Sequence, residues 1–260
     1  MRPGRAAAPL AAAVLLVAAG CGGGSSPGSA DESKPSLTVS AAASLQKAFT
    51  AYGKQFHGAR ARFSFAGSDE LAAQIEQGVK PDVYAAASTE LPERLYRKGL
   101  VSKPVVFAGN RLVLAVPSGS AKVTSLAAVE KAGTSLAIGS ASVPVGSYTR
   151  KVLDNLPAAE RKAILANVRS EEPDVAGIVG KLAQGAVDAG FVYVSDVRGS
   201  GGKLRAIELP ADFQPSVAYG AAVVKGTRLS EQAKAFIDGL VSGAGRRALR
   251  AAGFEPPPPG

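Results

Sequence analysis

From Leu37 onward, short apolar runs alternate with amphipathic stretches. Leu37-Thr38-Val39-Ser40 reads as a strand. It continues through Ala41-Ala42-Ala43-Ser44 into a helix with Leu45, Ala48, Phe49, Tyr52 and Phe56 on one face. The alternation in Arg62-Phe63-Ser64-Phe65 predicts a second strand, and Gly67 a turn. Ser68 stands at the N-cap of a helix over 69–77, with Leu71, Ala72 and Ile75 inward and Gly78 and Pro81 as its stop. A small-residue strand follows at 82–86, then a helix at 91–98 stopped by Gly99. Residues 111–117 form a strongly apolar strand, and after Pro117 the pattern restarts. A short helix at 126–131 and a strand at 136–138 lead into a turn-rich run at 139–147, then a helix at 148–155. Pro157 opens another helix at its first position. A helix is expected at 175–184 and strands at 189–194, 204–209 and 216–224, with closing helices at 230–240 and 244–252.

Alternating strands and helices give an α/β chain. The restart after Pro117 and the long strand at 216–224 predict two similar lobes, each a mixed β-sheet flanked by helices. Lobe 1 is discontinuous, 37–116 with 218–254, and lobe 2 is 117–217. Ligand is expected in the inter-lobe cleft, at the C-terminal ends of strands. Residues 255–260, Glu-Pro-Pro-Pro-Pro-Gly, are expected as a disordered or polyproline tail.

The first residues have another purpose. Arg2 and Arg5 precede an apolar run, Ala6–Ala19, too short to span a bilayer. Ala18-Ala19-Gly20-Cys21 resembles a bacterial lipobox, so 1–20 is expected to be a lipoprotein signal peptide and Cys21 the lipidation site. As the sole cysteine, Cys21 has no disulfide partner within the chain. Residues 21–36, rich in Gly, Ser and Pro, read as a flexible tether. The net charge is +9, with a local cluster at Arg246, Arg247 and Arg250. There is no nucleic-acid recognition motif and no aromatic interleaving, so the charge reads as a mildly basic surface that draws in anions at long range.

The chemistry is equally selective. With His57 alone there is no metal-ligand spacing and no Ser-His-Asp set, and neither a Walker sequence nor a nucleophile elbow occurs. Glu171, Glu172 and Asp174 lack calcium-loop spacing and read as a solvated acidic helix start. What recurs is neutral donors at strand-to-helix turns: Ser44, Ser68 and the 142–147 segment, with Tyr193 at a strand end. Free N–H groups beside a hydroxyl suit an anion. Such a site, without carboxylate acceptors, favours a fully deprotonated oxyanion.

Six motifs then carry a family resemblance. Ala41-Ala-Ala-Ser-Leu45, Phe65-Ala-Gly-Ser68 with Leu71-Ala-x-Gln-Ile-Glu76, Pro81-Asp-Val-Tyr84, Asn110-Arg-Leu-Val-Leu114, Ser142-Val-Pro-Val-Gly146 and Phe191-Val-Tyr-Val-Ser-Asp196 occur in one order between about Leu37 and Phe254. Together they resemble the periplasmic molybdate-binding proteins of ABC transporters. The resemblance implies a two-lobed type II periplasmic binding protein, not an enzyme and without a cofactor. Its ligand would be molybdate or tungstate, held by neutral groups with no protein atom on the metal. Ser44 and Ser68 would give hydroxyl and backbone donors, with Ala87 a further backbone contact. Val145 and Val175 would donate backbone N–H groups, and Tyr193 its phenol. The partner would be a membrane permease, and the receptor a lipid-anchored, extracytoplasmic monomer. Sulfate or phosphate as cargo, and an exported enzyme on the same fold, are the alternatives. Two positions depart from the family pattern: Asp69, expected to point outward from its helix start, and Ser88, where an acid is common.

Overall fold

The computed structural model describes residues 34–259. The expected signal segment 1–20, Cys21 and most of the expected tether lie outside the described residues. The first strand begins one residue earlier than expected, as β1 (Ser36–Ala42). A 3-10 turn over Ala43–Leu45 leads into α1 (Gln46–Gly53). Then come β2 (Arg60–Ala66), α2 (Ser68–Glu76), β3 (Val83–Ala86), α3 (Glu90–Arg97) and β4 (Val105–Asn110). The second half holds β5 (Leu112–Pro117), β6 (Leu136–Gly139), α4 (Pro144–Asp154), α5 (Ala158–Ala166), β7 (Val168–Glu172), α6 (Val175–Ala183), β8 (Ala189–Tyr193), α7 (Val194–Gly199) and β9 (Leu204–Glu208). The chain ends with β10 (Val217–Val223), α8 (Ser230–Val241) and α9 (Gly243–Ala251).

Two five-stranded mixed sheets result, ordered β2-β1-β3-β10-β4 and β7-β6-β8-β5-β9. The orders correspond strand for strand. In each, a central strand pairs in parallel with the two that follow it, and a strand from across the crossover joins antiparallel. The same clasp closes both βαβ units. Thr38 donates its N–H and its hydroxyl to Asp82 Oδ2, each at 2.7 Å, and Ser135 does the same to Asp188 Oδ2 at 2.7 Å. Each aspartate ties the start of the central strand to the start of its parallel neighbour, so one residue sets the register of the unit.

β3, β6 and β8 are buried along their whole length, which is why their sequences are continuous runs of small and apolar residues. An aromatic cluster of Phe49, Tyr52, Phe56, Phe63, Phe107 and Phe236 fills the space between β2, β4, α1 and α8. Leu71, Ile75, Leu91 and Leu95 pack α2 and α3 on the opposite face of the same sheet.

Several expectations change. β5 pairs with β8 and β9, so it belongs to the second sheet, and the outgoing crossover falls at Asn110–Arg111 rather than after residue 116. Continuous hydrophobicity marks a buried strand but carries no information on which sheet buries it. β4 had no sequence signal strong enough to predict it, because Gly109 and Asn110 break its apolar run, and β7 is hidden by its charged residues at an exposed edge. The stretch after Tyr193 is helix, not strand end and loop, because Asp196 turns back to accept the Tyr193 N–H at 2.9 Å. α4 starts at Pro144, four residues before the expected helix, and Pro157 is an N-cap rather than a first helical residue. The Pro-rich tail is docked at its start. Glu255 pairs with Gly109 on β4, and its carboxylate lies 2.8 Å from Arg111 Nε. This covers the open edge of the first sheet, which would otherwise offer unpaired backbone groups.

Candidate functional site

β1 and β2 run parallel with Ala42 opposite Ala66, so the turns after them present Ser44 and Ser68 at the same end of the sheet. Ser44 sits within the 3-10 turn, and Ser68 is the first residue of α2, whose N-cap is Gly67. Both serines are buried. Ser68 Oγ accepts the Ala87 N–H at 3.1 Å, and the Ser68 carbonyl accepts the Tyr84 hydroxyl at 2.7 Å. Ser44 Oγ lies 3.0 Å from the Tyr219 hydroxyl.

The second sheet repeats the arrangement. β6 and β7 run parallel with Gly139 opposite Glu172, which brings the N-termini of α4 and α6 to one edge. Val145 is the second residue of α4 and Val175 the first of α6, positions whose N–H groups have no partner inside their helix. Gly146 allows α4 to start this close to β6: a Cβ there would lie 1.9 Å from the Ser140 carbonyl oxygen. Tyr193 ends β8, with 1% of its surface exposed. Its hydroxyl has no hydrogen-bond partner in the protein although it is buried. Burial raises the phenol well above its ordinary pKa, so it is a donor at every physiological pH.

These groups converge. One cavity between the lobes is lined by Ser44, Gly67, Ser68 and Ala87 from the first lobe and by Val143, Pro144, Val145, Asp174, Val175 and Tyr193 from the second. Its interior volume is about 20 Å³, far below the roughly 300–1,000 Å³ of sites for drug-sized ligands. All six residues expected to bind ligand therefore line a single cavity. Ala87 lines it in a different role from the one expected. Its N–H is already donated to Ser68 Oγ, and this leaves the Ser68 proton free to point inward.

Among the described residues no cluster of three or more His, Cys, Asp or Glu side chains could hold a metal ion. The donor set is neutral: two hydroxyls, a phenol and two helix N-termini. It suits a small tetrahedral anion whose charge is met by dipoles.

The family model of the bacterial extracellular solute-binding proteins matches residues 37–255. The molybdate-binding protein ModA of Mycobacterium tuberculosis is 36% identical over 239 residues, covering 90% of this chain and 89% of that protein. The chain belongs to the extracellular solute-binding proteins, and within them it is of the ModA type. This solute-binding protein also superposes on the periplasmic molybdate-binding protein of Azotobacter vinelandii with a TM-score of 0.77, at 21% identity over 85% of this chain and 100% of the other. The sulfate-binding protein SubI of Mycobacterium tuberculosis gives 0.76 at 17% identity, over 85% and 87%. At these identities the superpositions show the shared fold alone.

Asp174 and Asp69 depart from the sequence reading. Asp174 is no solvated helix start: it lines the cavity, and its Oδ1 accepts the Gly177 N–H at 2.9 Å as the N-cap of α6. A carboxylate therefore does border the site, with one oxygen committed to its own helix. Asp69 does not point outward. Its Oδ1 is buried without a partner and lies close to Gly67 at the cavity wall. Asp196 accepts the backbone N–H of Tyr193, and burial pushes its carboxyl up to about 7 against that bond, with Asp174 adding to the rise. Glu171 and Glu172 pair instead with Arg150 at 3.2 Å and Lys181 at 3.5 Å. His57 is exposed. Ser88 is buried and accepts the Leu91 N–H at 3.4 Å.

Sequence reading missed Tyr219 and Asn110. Asn110 opens one of the quoted motifs, which was a signal. Tyr219 sits unmarked in an apolar strand.

Proposed function

We propose that this protein captures molybdate, and tungstate through the same contacts, outside the cytoplasm and delivers it to the membrane permease of an ABC transporter. The observation that carries the reading is the Tyr193 hydroxyl. It is buried, unpartnered, and faces a cavity walled by two serine hydroxyls and the N-termini of α4 and α6. A buried donor left without an acceptor costs about 1–3 kcal/mol, and an oxyanion removes that cost. Ser44, Ser68 and Tyr193 supply O–H donors, and Val145 and Val175 supply N–H donors. Closure of lobe 1 on lobe 2 around the anion is the signal read by the permease. The relatives named for molybdate binding support the choice of cargo. Cys21 is the lipid anchor in this reading, Lys34 and Pro35 end the tether, and the receptor acts as a monomer.

Titration calorimetry of the protein with molybdate, tungstate, sulfate and hydrogen phosphate tests the reading. Molybdate and tungstate should bind with similar Kd and displace each other, with sulfate and phosphate at least 100-fold weaker. The Ser44→Ala, Ser68→Ala double variant should lose at least 100-fold in molybdate affinity. Preferential sulfate binding would replace the cargo, and an unaltered double variant would overturn the site.

A further inference from the structure

The hydrogen bonds behind Ser44 have a direction, and it is fixed at the crossover. Asn110, the last residue of β4, is buried. Its Oδ1 accepts the backbone N–H of Arg111 at 2.9 Å, and this sets the orientation of the amide. Both N–H bonds of its Nδ2 are then donated, one to Ser195 Oγ in α7 at 2.9 Å and one to the Tyr219 oxygen at 3.4 Å. Tyr219 is fully buried. Its oxygen accepts an N–H of Asn110, which cannot accept in return, so its own single proton goes to Ser44 Oγ, 3.0 Å away. Ser44 Oγ is thereby an acceptor on its protein side, and its own proton is left for the cavity.

We propose that Asn110 and Tyr219 are positioning residues for ligand binding: through a one-way donor chain from the crossover, they hold Ser44 as a donor toward the anion. The inference rests on the oxyanion reading of the cavity and deepens it. Ser68 is set the same way by the Ala87 N–H, a donor that has no alternative direction. On the Ser44 side the protein uses a hydroxyl, which is reversible in principle, and Asn110 removes the reversal. The chain also touches both lobes, since Ser195 lies in α7 of the second and Ser44 in the first. A site whose two serines are both forced to donate offers a protonated oxyanion no acceptor from either serine, which disfavours it relative to one that is fully deprotonated. Hydrogen bonds in series polarise one another, so the Ser44 bond to an anion is strengthened by the two behind it.

A double-mutant cycle tests the chain. Tyr219→Phe keeps the ring against Phe107, Tyr193 and Phe254 and deletes only the hydroxyl. It should weaken molybdate binding about fivefold, the equivalent of one neutral hydrogen bond. In a Ser44→Ala background the same change should cost nothing further, because Tyr219 acts through Ser44. An equal loss in both backgrounds overturns the proposal, since a merely structural role of Tyr219 would not depend on Ser44. The second variant is Asn110→Asp. A carboxylate accepts from Tyr219 and reverses the chain, so that Ser44 donates to Tyr219 and presents a lone pair to the cavity. At pH 8 molybdate and hydrogen phosphate carry the same charge, so the added negative charge weakens both alike. Phosphate should gain at least fivefold relative to molybdate, and an unchanged ratio overturns the proposal. Wild-type protein that binds no oxyanion in these titrations overturns the function, and the inference with it. Binding by the wild type with an additive cycle overturns the inference alone.

Discussion

Asp69 shows how one residue's environment differs from what its position suggests. As the second residue of α2 it should favour the helix dipole from the solvent side. Instead Oδ1 is buried without a donor, and it lies beside Gly67, which walls the cavity. A carboxylate oxygen in that place is both unsatisfied and of the wrong sign for an anion site. Asp69→Asn keeps the shape, and its amide group supplies a donor. The substitution should stabilise the protein by about 1 kcal/mol and tighten molybdate binding at least threefold. Thermal unfolding and calorimetry read the two effects, and a variant unchanged in both would show that Asp69 is screened from the site. Ser44 and Ser68 stood out in the sequence because each sits where a strand pattern ends and a helix pattern begins, and Tyr193 because it ends an apolar strand, whereas Ala87, Val145 and Val175 entered only through the family resemblance. Asp69 and Asp174 were not legible in the same way. Their placement depends on which way a side chain turns at a helix start, and no spacing encodes that.

At the scale of elements, the short helix α7 depends on an acid that is strained in its charged form. Asp196 accepts the N–H of Tyr193, and burial pushes its carboxyl up to about 7. In the unfolded chain the same group titrates near 4. Between those values the folded protein holds a proton that the unfolded chain releases. The contribution of Asp196 to stability is therefore full below about pH 4 and is lost as pH rises through 7. Asp196→Asn retains an oxygen for the Tyr193 N–H and removes the titration. The melting temperature of the wild type minus that of Asp196→Asn should fall between pH 5 and pH 8, and a flat difference would place the Asp196 carboxyl in its ordinary range. The Asp196 bond also explains an error of reading. The expected strand at 189–194 ran one residue too far because its apolar run continues into Val194, whereas a single side chain-to-backbone bond ends β8 and starts α7.

For the whole molecule, the order of the two lobes was legible and the place where one gives way to the other was not. The strand pattern repeats, and the matching aspartate clasps at Asp82 and Asp188 show that the repeat extends to individual bonds. Yet β5 reads the same whichever sheet it joins, and only its pairing with β8 and β9 moves the crossover to Arg111. Lobe contact itself turns on Gly67. A Cβ added there would lie 2.5 Å from the carbonyl oxygen of Pro173, which belongs to the other lobe. Backbone on both sides leaves no flexible side chain to give way, so Gly67→Ala should hold the lobes apart at this point. The contact with Pro173 lies between the lobes and in neither core, and within its own lobe the added Cβ meets the Asp69 carboxylate oxygen at 2.9 Å, the end of a side chain that can turn away. Molybdate affinity should then fall by about 10- to 100-fold, the equivalent of roughly 1.4–2.8 kcal/mol of closure energy, with little change in the melting temperature of the ligand-free protein. Small-angle scattering with saturating molybdate should show a larger radius of gyration for Gly67→Ala than for the wild type. Equal affinity and equal compaction would mean that the lobes close on the anion without bringing Gly67 and Pro173 together.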